Sequence, residues 1–110
     1  MTPIPADEYC LVMTATASEA EAETLAQQIV QARLAACAQV QAVKSFYVWK
    51  EQPCAEKEWL LLIKSRTVCY AALEDFIRAR HRYETPEIVR VPITAGSADY
   101  LAWLSQQTGP

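Results

Sequence analysis

Hydrophobic residues follow two periodicities along the chain, and these predict strands alternating with helices. Residues 9–14 are apolar at both parities, which is typical of a central strand covered on both faces. Ser18 and Glu21 form a capping box, which marks the start of a helix. The apolar positions that follow recur at helical spacing: Ala22, Leu25, Ala26, Ile29, Val30 and Leu34.

The rest of the chain continues this alternation. A strand over residues 38–50, a polar proline-bearing turn at 51–56 and a strand over 58–64 predict a long hairpin. A second amphipathic helix begins at Thr67, a loop spans 81–86, a fourth strand spans 87–93, and a short helix spans 99–104. This order predicts one α+β domain over residues 1–110, with a flexible lead at 1–8. The split βαβ connections favour a ferredoxin-like fold (β-α-β-β-α-β) with an antiparallel sheet and a short C-terminal helix.

The hairpin carries more apolar residues than one covered face requires. Both helices of such a fold lie on the same face of the sheet, yet the third strand is apolar at odd and even positions alike. The second strand ends in the aromatic run at residues 46–49. A bare apolar face marks an association surface, so we expect a homo-oligomer held by residues 38–66. The alternative is a monomer with a partly exposed sheet.

Charge, hydropathy and cysteine content bear on which partners the protein can have and on where in the cell it is located. The net charge of −3 and the scattered Lys and Arg residues exclude the basic stripe of a nucleic-acid binder. No apolar run reaches the length of a membrane span, and no signal peptide is visible, so we expect a cytoplasmic protein without a membrane partner. The cysteines, Cys10, Cys37, Cys54 and Cys69, are widely spaced. We expect them to be reduced, although an even number also permits two disulfides.

Five ordered motifs resemble the successive signatures of the CutA family. They lie at residues 34–37, 45–50, 62–65, 81–88 and 100–104. The resemblance implies a ferredoxin-like protomer, assembly as a tight homotrimer, and an association with copper and other divalent ions. One departure is Arg82, where the family usually has proline, and a cation at this position would repel a metal bound at His81.

Two residues are candidate metal ligands. Copper(I) prefers thiolate, thioether and imidazole groups, and Cys37 matches the cysteine of the family's Ala-Ala-Cys motif. The alternative for Cys37 is a small buried hydrophobic side chain. His81, the only histidine, is the second candidate, and its alternative is a structural role at a helix end. No obligatory cofactor is expected, but copper or another divalent cation is a possible ligand.

Four further residues are candidate ligand-binding groups: Trp49, Lys64, Tyr83 and Glu87. We expect Lys64, His81, Tyr83 and Glu87 to converge near a subunit boundary. Lys64 and Glu87 lie at opposite ends of the second helical crossover, so they meet only if one strand projects or a neighbouring subunit supplies the partner. The alternative role for Lys64 is to protect the end of a strand from aggregation, and the alternative role for Trp49 is packing in an interface.

The sequence favours a trimeric, metal-responsive protein that is involved in tolerance to divalent cations, copper in particular, and in their binding. The alternative is a signalling-type trimer that binds a small anion or nucleotide in an inter-subunit cleft. An enzyme of the acylphosphatase kind requires a phosphate-cradling loop and an amide side chain. Because the chain has no Asn and only Gly96 and Gly109, both near the C-terminus, we do not expect an enzyme.

Overall fold

The structure of the protein, a computed structural model, describes residues 7–109. Its elements are β1 (Tyr9–Thr16), α1 (Glu19–Gln31), β2 (Cys37–Trp49), β3 (Gln52–Arg66), a 3₁₀ turn (Thr67–Cys69), α2 (Tyr70–Arg80), β4 (Val89–Ile93) and α3 (Ala98–Gln107). The strands form an antiparallel sheet in the order β2-β3-β1-β4. This is the predicted α+β, ferredoxin-like arrangement, so the fold class is confirmed. None of the helices in residues 7–109 is long and apolar enough to cross a membrane.

The predicted flexible lead, residues 1–8, falls mostly outside the described residues. Its last two members are attached to the rest of the chain. The Asp7 carboxylate accepts a hydrogen bond from Arg90, and the backbone carbonyl of Glu8 accepts one of 2.9 Å from the Thr67 N–H. Residues 7 and 8 are therefore held against the end of the sheet rather than loose.

Helices α1 and α2 cover one face of the sheet and form the main core with it. The buried members of this core are Cys10, Val12, Ala22, Leu25, Ala26, Ile29, Ala35, Leu61, Ile63, Leu73 and Ile77. The predicted stripe of α1 is correct at Ala22, Leu25, Ala26 and Ile29, but Val30 is 40% exposed. Leu34 packs against the core from beyond the end of the helix at Gln31. Val30 follows Ile29 at the centre of the stripe, and one residue turns a helix by about 100°, so its side chain points away from the sheet.

Helix α1 begins where the capping box predicts. The Ser18 hydroxyl accepts a 3.2 Å hydrogen bond from the Glu21 N–H and so satisfies one of the free donors of the first turn. The Glu21 carboxylate was expected to reach back to the cap. It lies instead 3.5 Å from the Arg82 guanidinium, which ties α1 to the segment that follows α2.

The hairpin turn is shorter than the sequence predicts. Lys50 and Glu51 have φ angles of 49° and 67°, the left-handed conformation of a tight two-residue hairpin turn. The prediction of a turn at 51–56 is wrong, because Pro53 pairs with Val48 inside the ladder. Proline is tolerated here because β1 does not extend this far. This part of β3 pairs with β2 on one edge, and its other edge has no strand that would need the missing N–H.

The ends of β2 and β3 project beyond the sheet. β1 pairs with β3 only as far as Trp59, so residues 43–58, here called the arm, form a two-stranded ribbon without a third strand. The chain measures 48 × 25 × 22 Å. An isolated two-stranded ribbon is marginally stable in water, so the arm is the part of the chain that most needs a cover.

The face of the sheet opposite α1 and α2, here called the open face, is only partly covered. Helix α3 packs over one end of it, where Tyr9, Leu101 and Leu104 form a second buried cluster. The Tyr9 hydroxyl is 2.8 Å from the Ser105 hydroxyl. The rest of the open face carries side chains that are only half-buried or exposed: Leu11, Met13, Leu60, Leu62, Val89 and Val91. The bare apolar face that the third strand predicts is therefore present in the single chain.

Candidate functional site

A cleft lies between the arm and the segment that connects α2 to β4. Its volume is about 680 Å³, within the range of small-molecule sites. One wall is formed by side chains on the arm and the end of β1, and the other by the connecting segment. The lining residues are Ala15, Ser45, Phe46, Tyr47, Trp49, Glu56, Glu58, Arg82, Tyr83, Glu84, Thr85 and Glu87.

His81 holds the connecting segment in place. It is the C-terminal cap of α2, and its Nε2 lies 2.7 Å from the backbone carbonyl oxygen of Ala15. Its Nδ1 accepts a 3.1 Å hydrogen bond from the Tyr83 N–H, so Nε2 carries the proton that is donated to Ala15. Both ring nitrogens are occupied by backbone groups. A metal ion could bind His81 only after one of these hydrogen bonds had broken.

A buried carboxylate lies in this cleft. Glu58 is only 8% exposed, and its Oε2 accepts a 2.7 Å hydrogen bond from the Tyr83 hydroxyl. Desolvation, and then the Glu58 carboxylate, raise the pKa of Tyr83 above the usual value for tyrosine. Sequence reasoning missed Glu58 as a site residue. The available signal was its parity, since Glu58 shares the face of Leu60 and Leu62 on β3.

The arm contributes aromatic rings to the same cleft. Trp49, at the tip, is 40% exposed, with the Lys50 ammonium 5.6 Å from its ring centre. Desolvation and the neighbouring Glu56 carboxylate raise the pKa of Tyr47 to about 12. Lys50 and Glu84 lie 3.6 Å apart, but both are well exposed, so this ion pair adds little stability.

The predicted ligand-binding residues fall into two places. Trp49, Tyr83 and Glu87 line the cleft, whereas Lys64 lies near the opposite end of the open face. Lys64 lies six positions along β3 from Glu58, a distance of roughly 20 Å along the strand. The Lys64 ammonium is 5.7 Å from the ring centre of Tyr100 on α3. A single chain therefore does not bring Lys64 to the cleft.

Comparison with known proteins identifies the family. The family model described as "CutA1 divalent ion tolerance protein" matches residues 10–107. The chain belongs to this family. The matched range contains all five motifs on which the resemblance to CutA rests.

Individual CutA relatives agree with this assignment. A divalent-cation tolerance protein CutA of Thermus thermophilus is 39% identical over 100 residues, which are 90% of this chain and 97% of the relative. The chloroplastic CutA of Arabidopsis thaliana is also 39% identical over 100 residues, but the chain spans only 55% of its length. The solved structure of CutA from Synechococcus elongatus has a TM-score of 0.91 at 30% identity, covering 98% of this chain and 96% of that one.

The name of the CutA1 family implies a divalent cation, but residues 7–109 do not form a site for one by themselves. Within residues 7–109, no group of three or more His, Cys, Asp or Glu side chains is arranged to hold a metal ion. Cys37 is half-buried and is the register partner of Lys64 on the neighbouring strand β3. The four cysteines are all free in this chain. Residues 7–109 of one chain therefore do not supply Cys37 with two further ligands of these types.

Proposed function

We propose that this chain works as a cytoplasmic homotrimer in divalent-cation tolerance, that it binds copper or another divalent cation, and that it is not an enzyme. The tolerance role rests on the family, whose members are named divalent-cation tolerance proteins. The observation that carries the assembly is exposed apolar surface on two parts of the chain, the open face and the arm.

Several apolar side chains on the arm and the open face are exposed in the single chain. Phe46 is 76% exposed and Val48 70% exposed on the arm, while Val89 and Val91 are 41% and 42% exposed at the edge of the sheet. Phe46 and Val48 continue the parity of Ala38 and Val40, so they lie on the face of the arm opposite to the open face. Exposed apolar surface on both parts is typical of an interface. If the arm of one copy lies on the open face of the next, the contact is head-to-tail, and a rotation of one third of a turn closes it into a ring of three.

The assembly is tested by light scattering coupled to size exclusion. We expect the wild type to elute as a trimer and Trp49→Asp to dissociate, because a charge at the tip of the arm would have to be desolvated in the contact. Gln27→Asp, which places the same charge on an exposed position of α1, is the matched control and leaves the trimer intact. A monomeric wild type at micromolar concentration contradicts the proposal.

Copper binding is tested by titration of wild type, Cys37→Ser and His81→Ala with copper(I) and copper(II). We expect Cys37→Ser to weaken copper(I) binding because a hydroxyl is a poor ligand for a soft ion. Cys54→Ser, which changes the half-buried thiol on the arm, is the control. If neither Cys37→Ser nor His81→Ala weakens binding, the assignment of both residues as metal ligands is refuted.

The predicted meeting of Lys64 with Tyr83 and Glu87 requires two copies of the chain. We expect Lys64 of one copy to approach Glu87, which is exposed at the edge of the neighbouring cleft. Carbodiimide cross-linking followed by mass spectrometry detects such a pair as an intermolecular Lys64–Glu87 link. A trimer without this link contradicts the shared cleft but leaves the assembly standing. An anion or nucleotide in this cleft, the alternative function, would depend on the same lysine.

A further inference from the structure

Residues 106–109, here called the strap, tie the end of α3 to the end of β3. Arg66 donates from Nε to the Thr108 hydroxyl at 2.8 Å and from Nη2 to the Thr108 carbonyl at 3.0 Å. Thr108 is only 3% exposed, and its hydroxyl donates in turn to the Leu104 carbonyl in α3. Arg66 is therefore connected through Thr108 to the last turn of α3.

Arg33 holds the same strap from the turn after α1. Its Nε donates to the Gly109 carbonyl at 2.9 Å, and its Nη2 donates to the Gln106 carbonyl at 3.0 Å. The Gly109 N–H returns a 2.9 Å bond to the Arg33 carbonyl. Within residues 7–109, neither Arg33 nor Arg66 forms an ion pair with a carboxylate, so both guanidinium groups are used to hold the strap.

Elsewhere α3 is only lightly attached. Its buried residues, Leu101 and Leu104, pack with Tyr9 in a small cluster that is separate from the main core. Residues 94–97, which connect β4 to α3, are exposed and form neither helix nor strand, and no side chain caps the first turn of α3. A segment with few buried apolar contacts opens more readily than the core around it. Helix α3 can therefore open while the main core stays packed.

We infer that α3 is a lid over one end of the open face, and that Arg33 and Arg66 form the latch that keeps it closed. In the closed position, the ring centre of Tyr100 lies 5.7 Å from the Lys64 ammonium. Opening removes this ring from Lys64 and uncovers Tyr9, so it extends the apolar open face and frees the lysine. The lid goes beyond the proposed role in metal tolerance. It rests on contacts within one chain and does not depend on the assembly.

Hydrogen–deuterium exchange of the native protein, read by mass spectrometry, tests the latch. Arg66→Gln removes the two hydrogen bonds to Thr108 and should speed exchange of the α3 amides about tenfold or more, because bonds from charged donors are among the stronger ones. The amides of α1 should exchange as in the wild type. Arg78→Gln removes an exposed arginine from α2, on the other face of the sheet, and is the matched control that should leave α3 exchange unchanged.

A second variant keeps both arginines. Gly109 has a φ angle of 89°, and a Cβ added there would lie 2.5 Å from Nη2 of Arg66, the atom that donates to the Thr108 carbonyl. Gly109→Ala should therefore displace the guanidinium and speed α3 exchange several-fold. The inference is overturned if α3 exchanges at the wild-type rate in both variants. It is also overturned if exchange speeds up equally in α1, because the arginines would then support the whole fold, or if Arg78→Gln opens α3 as much as Arg66→Gln does.

Discussion

The hydrogen bond between Tyr83 and Glu58 gives the most direct test of the architecture of the cleft. Tyr83→Phe removes the hydroxyl and preserves the ring that lines the cleft and packs against His81, with ring centres 4.9 Å apart. The change leaves the Glu58 carboxylate more than nine-tenths buried and without its 2.7 Å donor. The perturbation is therefore confined to one polar contact.

The expected cost follows from the burial of the acceptor. Hydrogen bonds to charged groups contribute about 1.5–3 kcal/mol, and the cost is higher when the charged partner stays buried without a replacement. We expect Tyr83→Phe to lower the free energy of unfolding by about 2 kcal/mol. Glu58→Gln should cost less, because the amide oxygen still accepts from Tyr83 while the buried charge disappears. The double variant should show that the two changes are not additive.

Urea unfolding at pH 7 and a fixed protein concentration measures these differences, since dissociation of an oligomer would make stability depend on concentration. Tyr100→Phe is the matched control. Tyr100 is 38% exposed on α3, and its hydroxyl makes no hydrogen bond within residues 7–109. This control should change stability by less than about 0.5 kcal/mol. If Tyr83→Phe costs no more than Tyr100→Phe, the buried hydrogen bond does not hold the arm to the connecting segment.

Three further predictions concern pH, the core and the thiols. The folded chain raises the pKa of Tyr83, and that of Tyr47 to about 12. Unfolded tyrosines lose their protons near pH 10, so stability should be full below about pH 10 and fall above it. Tyr83→Phe should make this fall, measured by urea unfolding across pH, shallower. The Thr14 hydroxyl is the one fully enclosed side-chain polar atom without a partner in residues 7–109, so Thr14→Val should raise the free energy of unfolding by about 1 kcal/mol. Alkylation of denatured protein without reductant should add four adducts, whereas two or none would indicate disulfides.

The sequence predicts the fold well where local signals and tertiary packing agree. Helix α1 is the clearest case, because the cap at Ser18 and the apolar period point to the same element and the same buried face. The hairpin turn is the clearest failure. Pro53 suggests a turn, but the rule that excludes proline from strands applies to strands paired on both sides, and the arm is paired on one side only.

The site is less predictable because its contacts join residues far apart in the chain. Trp49, Tyr83 and Glu87 do share a cleft, but Glu58 enters it through Tyr83, which is 25 residues away. The orientation of His81 depends on the Ala15 carbonyl of β1, 66 residues earlier in the chain, as well as on the nearby Tyr83 N–H. No local sequence pattern predicts contacts between residues this far apart in the chain. Glu58 occupies a strand position whose side chain falls on the same face as Leu60 and Leu62. A charged residue at such a position is the one sequence signal that could have indicated Glu58.

Native mass spectrometry of protein purified without added metal tests the central proposal most directly, because it reports assembly and bound ligands together. We expect a species that contains three copies of the 12.3 kDa chain, since the open face and the arm leave too much apolar surface for a stable monomer. A copurified divalent metal ion would support the tolerance role. A single-chain species under the same mild conditions, confirmed by light scattering in solution, would contradict the proposed trimer.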